Sequence, residues 1–169
     1  MVRNTAEASG IITVDLLDFA PKEQCLSFDI KNLLYQGLII REKEFKILLN
    51  DTNWELFRNK PVAIGCSEDT IIPPWVYMML SSKLNSVNSR AEFCSPEELN
   101  LQLWKENIQN ADFNHLANEK VVVRAHTGIA PSIFMKMTEK LTPVVQTLMY
   151  GEAGLPKVIW KRKVTSNQA

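Results

Sequence analysis

The chain has 169 residues and a mass of 19.3 kDa, with 46% hydrophobic and 22% charged residues, 6 Gly and 8 Pro. That is the composition of one compact folded domain spanning residues 1–169, and it excludes a disordered or collagen-like chain. Its 19 Lys and Arg balance 19 Asp and Glu, leaving no net field to concentrate nucleic acid or an anionic membrane.

Three widely spaced cysteines, Cys25, Cys66 and Cys94, lack the density of a disulfide framework and point to a reducing, cytoplasmic setting. The first thirty residues carry charges throughout, so no secretory leader is expected, and no later run reaches the ~18 apolar residues of a membrane span.

In chain order, residues 11–16 (IITVDL) and 25–30 (CLSFDI) read as two strands, joined by FAPKEQ and open to pairing as a hairpin. From Asn32 to Asn50 apolar residues recur at helical spacing with a break at Gly37, which predicts two short helices. VAIG at 62–65 fits a buried strand, followed by the polar loop CSEDT and a helix opened by Pro73 and Pro74. That helix is apolar on nearly every side across 75–80, which calls for cover by a second helix or a second copy of the chain and predicts a two-fold homodimer.

Residues 90–94 predict a further strand. Ser95-Pro96-Glu97-Glu98 then has the form of a capping box, which starts a helix running to about Asn110. VVV at 121–123 is another buried strand, and SIFMKMTEKL another helix. Thr142-Pro143 marks a kink in that helix or a fresh helical start, closed at Gly151 as a C′ glycine. The tail KVIWKRKV predicts a final edge strand, its lysines guarding the edge.

Two stretches can be superimposed. Asn53–Asn59 followed by KPVAI matches Asp112–Asn118 followed by EKVVV at one constant offset, and a one-residue slip then lays Cys66-Ser67 on His126-Thr127. Further on, Pro74, Tyr77 and Met78 fall on Pro131, Phe134 and Met135. Residues 53–84 and 112–141 therefore read as an internal duplication of a strand–loop–helix unit, or as two ordinary units of an α/β protein. Either way the expected fold is α/β, a mostly parallel sheet flanked by helices, with ligands bound outside the carboxyl ends of the strands.

Cys66 and His126 each follow a buried strand and are expected on neighbouring loops of one such edge. As ligand-binding groups they would act with Ser67, Asp69 and Thr127. As metal ligands for a divalent ion they need a third donor, supplied by Asp69 or Glu152. As catalysts, Cys66 would be the nucleophile of a hydrolase or transferase, His126 its base and Asp69 the orienting group. Against all three stands the plain alternative that Cys66 is a small buried residue ending a strand and His126 caps a loop. His115 is expected at a surface or half-buried position rather than as a ligand. Phosphate-loop, dinucleotide and zincin motifs are absent from the sequence.

The stretches FDIKNLLYQGLIIREKEF (28–45), VAIGCSEDTIIPPWVYMML (62–80) and TLMYGEAG (147–154) resemble a bacterial family catalogued as domain of unknown function 2480. The resemblance implies Cys-Ser after both central strands, a further cysteine in a Gly-Glu-x-Cys segment, and a link to iron–sulfur cluster assembly with a protein partner there. Matched position by position, Cys66 keeps the first cysteine, His126 replaces the second and Gly154 replaces the third. Histidine preserves a metal donor, but glycine offers none, so a three-thiolate cluster cannot form. The function expected is a metal- or small-ligand-binding accessory protein, with a cysteine-dependent enzyme or a purely structural interaction protein as the alternatives.

Overall fold

The structure, a computed structural model, describes residues 10–152 and 154–163. Within them the chain runs β1 (Ile11–Val14), β2 (Leu26–Asp29), α1 (Glu42–Asp51), β3 (Val62–Gly65), α2 (Pro74–Ser86), β4 (Ala91–Phe93), α3 (Pro96–Asn110), β5 (Lys120–Val123), α4 (Pro131–Leu141), β6 (Thr147–Tyr150) and β7 (Lys157–Lys161). The fold is α/β, as the sequence indicates, with two mostly parallel sheets. The chain forms two compact units, a continuous one of residues 22–100 and a split one made of residues up to 21 and from 101 onward.

In the continuous unit the sheet order is β2-β3-β4, all parallel, with Leu26 opposite Val62 and Val62 opposite Ala91. Apolar residues of β2 and β3 (Phe28, Val62, Ile64) pack with Phe45 and Leu49 of α1 and with Val76, Leu80 and Leu84 of α2. Both helices therefore serve one core. The near-continuous apolar run VAI suits a central parallel strand, whose neighbours on both sides arrive by crossover rather than by tight turn.

In the split unit the order is β1-β5-β6-β7, parallel except for the antiparallel edge strand β7. Val14, Val121, Val123 and Leu148 pack with Ile108 of α3 and with Ile133, Met137 and Leu141 of α4. Prolines open α2 and α4, where the missing amide hydrogen costs no helical bond. The Ser95–Glu98 capping box opens α3: Ser95 Oγ accepts from the Glu98 amide at 3.1 Å, and Glu98 Oε2 accepts from the Ser95 amide at 2.9 Å.

The two units share an order of elements. Short 3-10 turns at Trp54–Phe57 and Asn114–Leu116 precede β3 and β5, and α2 and α4 follow them. Between turn and strand, Asn59 and Asn118 both adopt left-handed backbone, at φ 56° and 63°. Asparagine tolerates that conformation better than other residues with a side chain. Tyr77 of α2 meets Phe93 of β4 edge-on at 5.1 Å, and Phe134 of α4 meets Tyr150 of β6 edge-on at 5.8 Å.

Three local expectations are corrected. Residues 11–16 and 25–30 form no hairpin: β1 pairs with β5 and β2 with β3, because the 3-10 turn Leu16–Phe19 buries Leu16 and Phe19 and turns the chain out of β1. Only one α-helix lies between 32 and 50. Gln36 and Gly37 both take positive φ (53° and 71°) in a tight turn closed by the Tyr35 amide on the Ile39 carbonyl at 2.8 Å, so the first predicted helix cannot form. The residues before Gly151 form the central strand β6, since the β-branched Val145 and Thr147 and the apolar Leu148-Met149 fit a doubly buried strand as well as a helix.

Candidate functional site

All three strands of the continuous unit end at the same edge, where Asp29, the Gly65–Ser67 segment and the Cys94–Pro96 segment leave the sheet. Between them lies a cleft of about 520 Å³ whose lining includes Ser27, Asp29, Cys66, Ser67, Cys94 and Ser95. Its apolar lining includes the exposed Phe93 and the half-buried Pro96, with Phe28, Ala63 and Ile64 buried behind. This is the place where an open parallel sheet binds ligands.

Asp29 organises one wall. Its Oδ1 accepts from the Lys31 amide at 2.9 Å, capping the 3-10 turn Ile30–Leu33, and from the Ser67 amide at 3.1 Å, which fixes the loop after β3. The Ser67 side chain, outweighing partial burial, holds the Asp29 carboxyl below the usual range, helped by the two amides and by the Lys31 charge. Lys31 itself pairs with Glu68. On the opposite wall, burial pushes the Cys94 thiol up, reinforced by the charges of Glu98 and Glu92. The edge thus presents an ionised acceptor, small hydroxyl side chains and two thiols over an apolar floor.

The split unit carries a second polar constellation at the corresponding edge. Asp15, directly after β1, accepts at Oδ1 from the Leu17 amide at 3.0 Å and meets His126 Nε2 at 2.8 Å, while Oδ2 accepts from Arg124 Nη1 at 2.9 Å. Desolvation pushes this carboxyl up, but the Leu17 amide, His126 and Arg124 together outweigh it and hold it below the usual range. Arg124 and His126 come from the loop after β5, so one carboxylate ties that loop to β1.

Of the expected site residues, Cys66 and Ser67 line the cleft, whereas Asp69 is exposed in the same loop and outside it. His126 and Thr127 belong to the split unit, and Glu152 is exposed beyond β6. The single sheet edge expected for Cys66 and His126 is corrected to the edges of two sheets, because β1 and β2 each enter as partner of a different central strand. The orienting carboxylate of His126 is Asp15, not Asp69. Cys66, His126 and Glu152 are divided between the units. Among the described residues no three His, Cys, Asp or Glu side chains are grouped to hold a metal ion.

Sequence reasoning passed over Asp15, Asp29, Arg124 and Cys94. Each stands at or just after the end of a strand, the signal that singled out Cys66, and both aspartates precede an apolar residue that starts a turn. His115 is exposed as expected. In the basic tail, Arg162 is engaged within the split unit, donating to Asn118 Oδ1 at 2.7 Å and to the carbonyls of Pro143 and Val144.

Fold and edges together define an α/β protein of two units with mostly parallel sheets, each with a strand-end aspartate anchoring the loop after the neighbouring strand. Residues 1–162 match the model of the family described as protein of unknown function DUF2480, and the chain belongs to that family. No curated protein matches the chain. No solved structure matches it either. Among the described residues no helix is long and apolar enough to cross a membrane.

Proposed function

We propose that the protein is a small-ligand-binding accessory protein whose ligand sits in the cleft at the carboxyl edge of β2, β3 and β4. The observation that carries this reading is the convergence of Asp29, Cys66, Ser67, Cys94 and Ser95, from the ends of all three strands, on one cavity of about 520 Å³. That volume is in the range of small-molecule pockets. Because Asp29 is held ionised, the cleft favours a neutral or cationic molecule that donates hydrogen bonds, through an amine or hydroxyl, and lays an apolar portion on the exposed Phe93.

The iron–sulfur and metal readings have less support, since only Cys66 of the three family cysteine positions keeps a thiol here. The reading includes a dimer meeting on the outer face of α2, where Met78 is 72% exposed beside the Tyr77–Phe93 pair. Ligand-observed NMR against a collection of amine- and hydroxyl-bearing fragments tests the cleft. Fragments that bind the wild-type protein should be lost in Ser67→Trp, which fills the cleft from an exposed position, and an unchanged set of binders would refute the assignment.

A further inference from the structure

The second polar edge has donors to spare. Register makes the two aspartates equivalent: Asp29 lies opposite Gly65, and Asp15 stands one residue past the Val14–Val123 pair, opposite Arg124. Each accepts the amide two residues ahead, and each reaches the residue two beyond its opposite number, Ser67 for Asp29 and His126 for Asp15. Ser67, not Cys66, therefore occupies the place of His126, and no one-residue slip is needed.

What differs is the chemistry each aspartate holds. Asp29 fixes a serine and a backbone. Asp15 fixes an arginine and a histidine side by side, both partly open to solvent, with side chains 42% and 21% exposed. Asp15 takes one N–H from the guanidinium and one ring nitrogen from the imidazole. Among the described residues, the Arg124 Nε and Nη2 donors and the His126 Nδ1 remain for another partner. The negative charge of Asp15 is matched by Arg124, so an arriving anion does not face an uncompensated carboxylate. α4 also begins at this edge, with its positive dipole end.

We propose that Arg124 and His126 form a binding site for a small oxyanion, a phosphate or carboxylate group, with Asp15 as the residue that positions both. A guanidinium edge gives the planar two-donor geometry that such oxygens accept, and the His126 ring stands beside it. This site belongs to the split unit and the cleft to the continuous one.

The test is a ¹H–¹⁵N chemical-shift titration of the full chain at pH 6.5 with inorganic phosphate and, in parallel, with acetate, at constant ionic strength. Saturable shifts confined to the Arg124 side chain, the His126 ring and the amides of residues 124–128 are expected with at least one anion, and the stronger of the two identifies the oxyanion. Arg124→Gln should weaken that binding by about tenfold or more, the scale of one charge-assisted hydrogen bond, and His126→Gln should weaken it while keeping a donor for Asp15. Absence of saturable shifts with both anions, or equal binding by both variants, overturns the proposal. If Arg124→Gln loses its fold by circular dichroism, the wild-type titration alone decides.

Discussion

Replacing Asp15 by asparagine isolates what one strand-end carboxylate does. The substitution keeps an acceptor for the Leu17 amide but removes the charge and faces an amide NH₂ toward Arg124 Nη1 or His126 Nε2, which now lie 2.9 and 2.8 Å from the carboxylate. A shielded charge-assisted hydrogen bond contributes roughly 1.5–3 kcal/mol. Arg124 is 42% exposed, and its share falls toward the ~0.5 kcal/mol of a surface ion pair. The expected loss at pH 7 is therefore about 2 kcal/mol, or about 1 M in urea midpoint for a slope of about 2 kcal/mol/M. Asp15 has a depressed carboxyl in the folded state, so its contribution is fully present above the unfolded value and disappears as pH falls through the folded one. Urea unfolding of wild type and Asp15→Asn at pH 7 and near pH 2.5 should show the gap closing in acid. An equal gap at both pH values, or less than about 0.5 kcal/mol at pH 7, would refute the electrostatic account of this edge.

Three further outcomes are expected. Leu80→Ala, at a fully buried position of α2, should cost about 3–4 kcal/mol by the same urea measurement, because the core of the continuous unit is left with a cavity. Ser95→Ala should cost about 1 kcal/mol and raise amide exchange in the first turn of α3, since the Glu98 amide loses its acceptor. Asn59→Ala should cost about 1 kcal/mol while Asn59→Gly costs nothing measurable by thermal melting, as only the left-handed backbone is at stake.

Much of the architecture was legible where a local signal has one physical meaning. The capping box at Ser95, the proline-opened helices and the apolar runs VAIG and VVV each lead to the element observed. What periodicity could not decide was the partner of each strand. IITV and LSFD are alike as short half-apolar runs, and only the folded chain shows that each enters a different sheet, with Cys66 at the edge of one and His126 at the edge of the other. The helix expected before Gly151 failed for a related reason, since a short apolar run suits a buried strand and a buried helix equally. At the site, attention went to residues with conspicuous chemistry, so Cys66, Ser67 and His126 were found and Asp15 and Asp29 were not. An aspartate ending a strand reads as a turn former, and its reach to a loop dozens of residues away becomes visible only once parallel register is known.

Alkylation footprinting gives the most direct test of the ligand cleft, because two cysteines line it and the third does not. Mass spectrometry would follow iodoacetamide labelling of Cys25, Cys66 and Cys94 with and without a saturating fragment from the NMR collection. Binding in the cleft should slow the labelling of Cys66 and Cys94 together and leave the rate at Cys25 unchanged. Unaltered rates at Cys66 and Cys94, or equal protection of all three thiols, would contradict it.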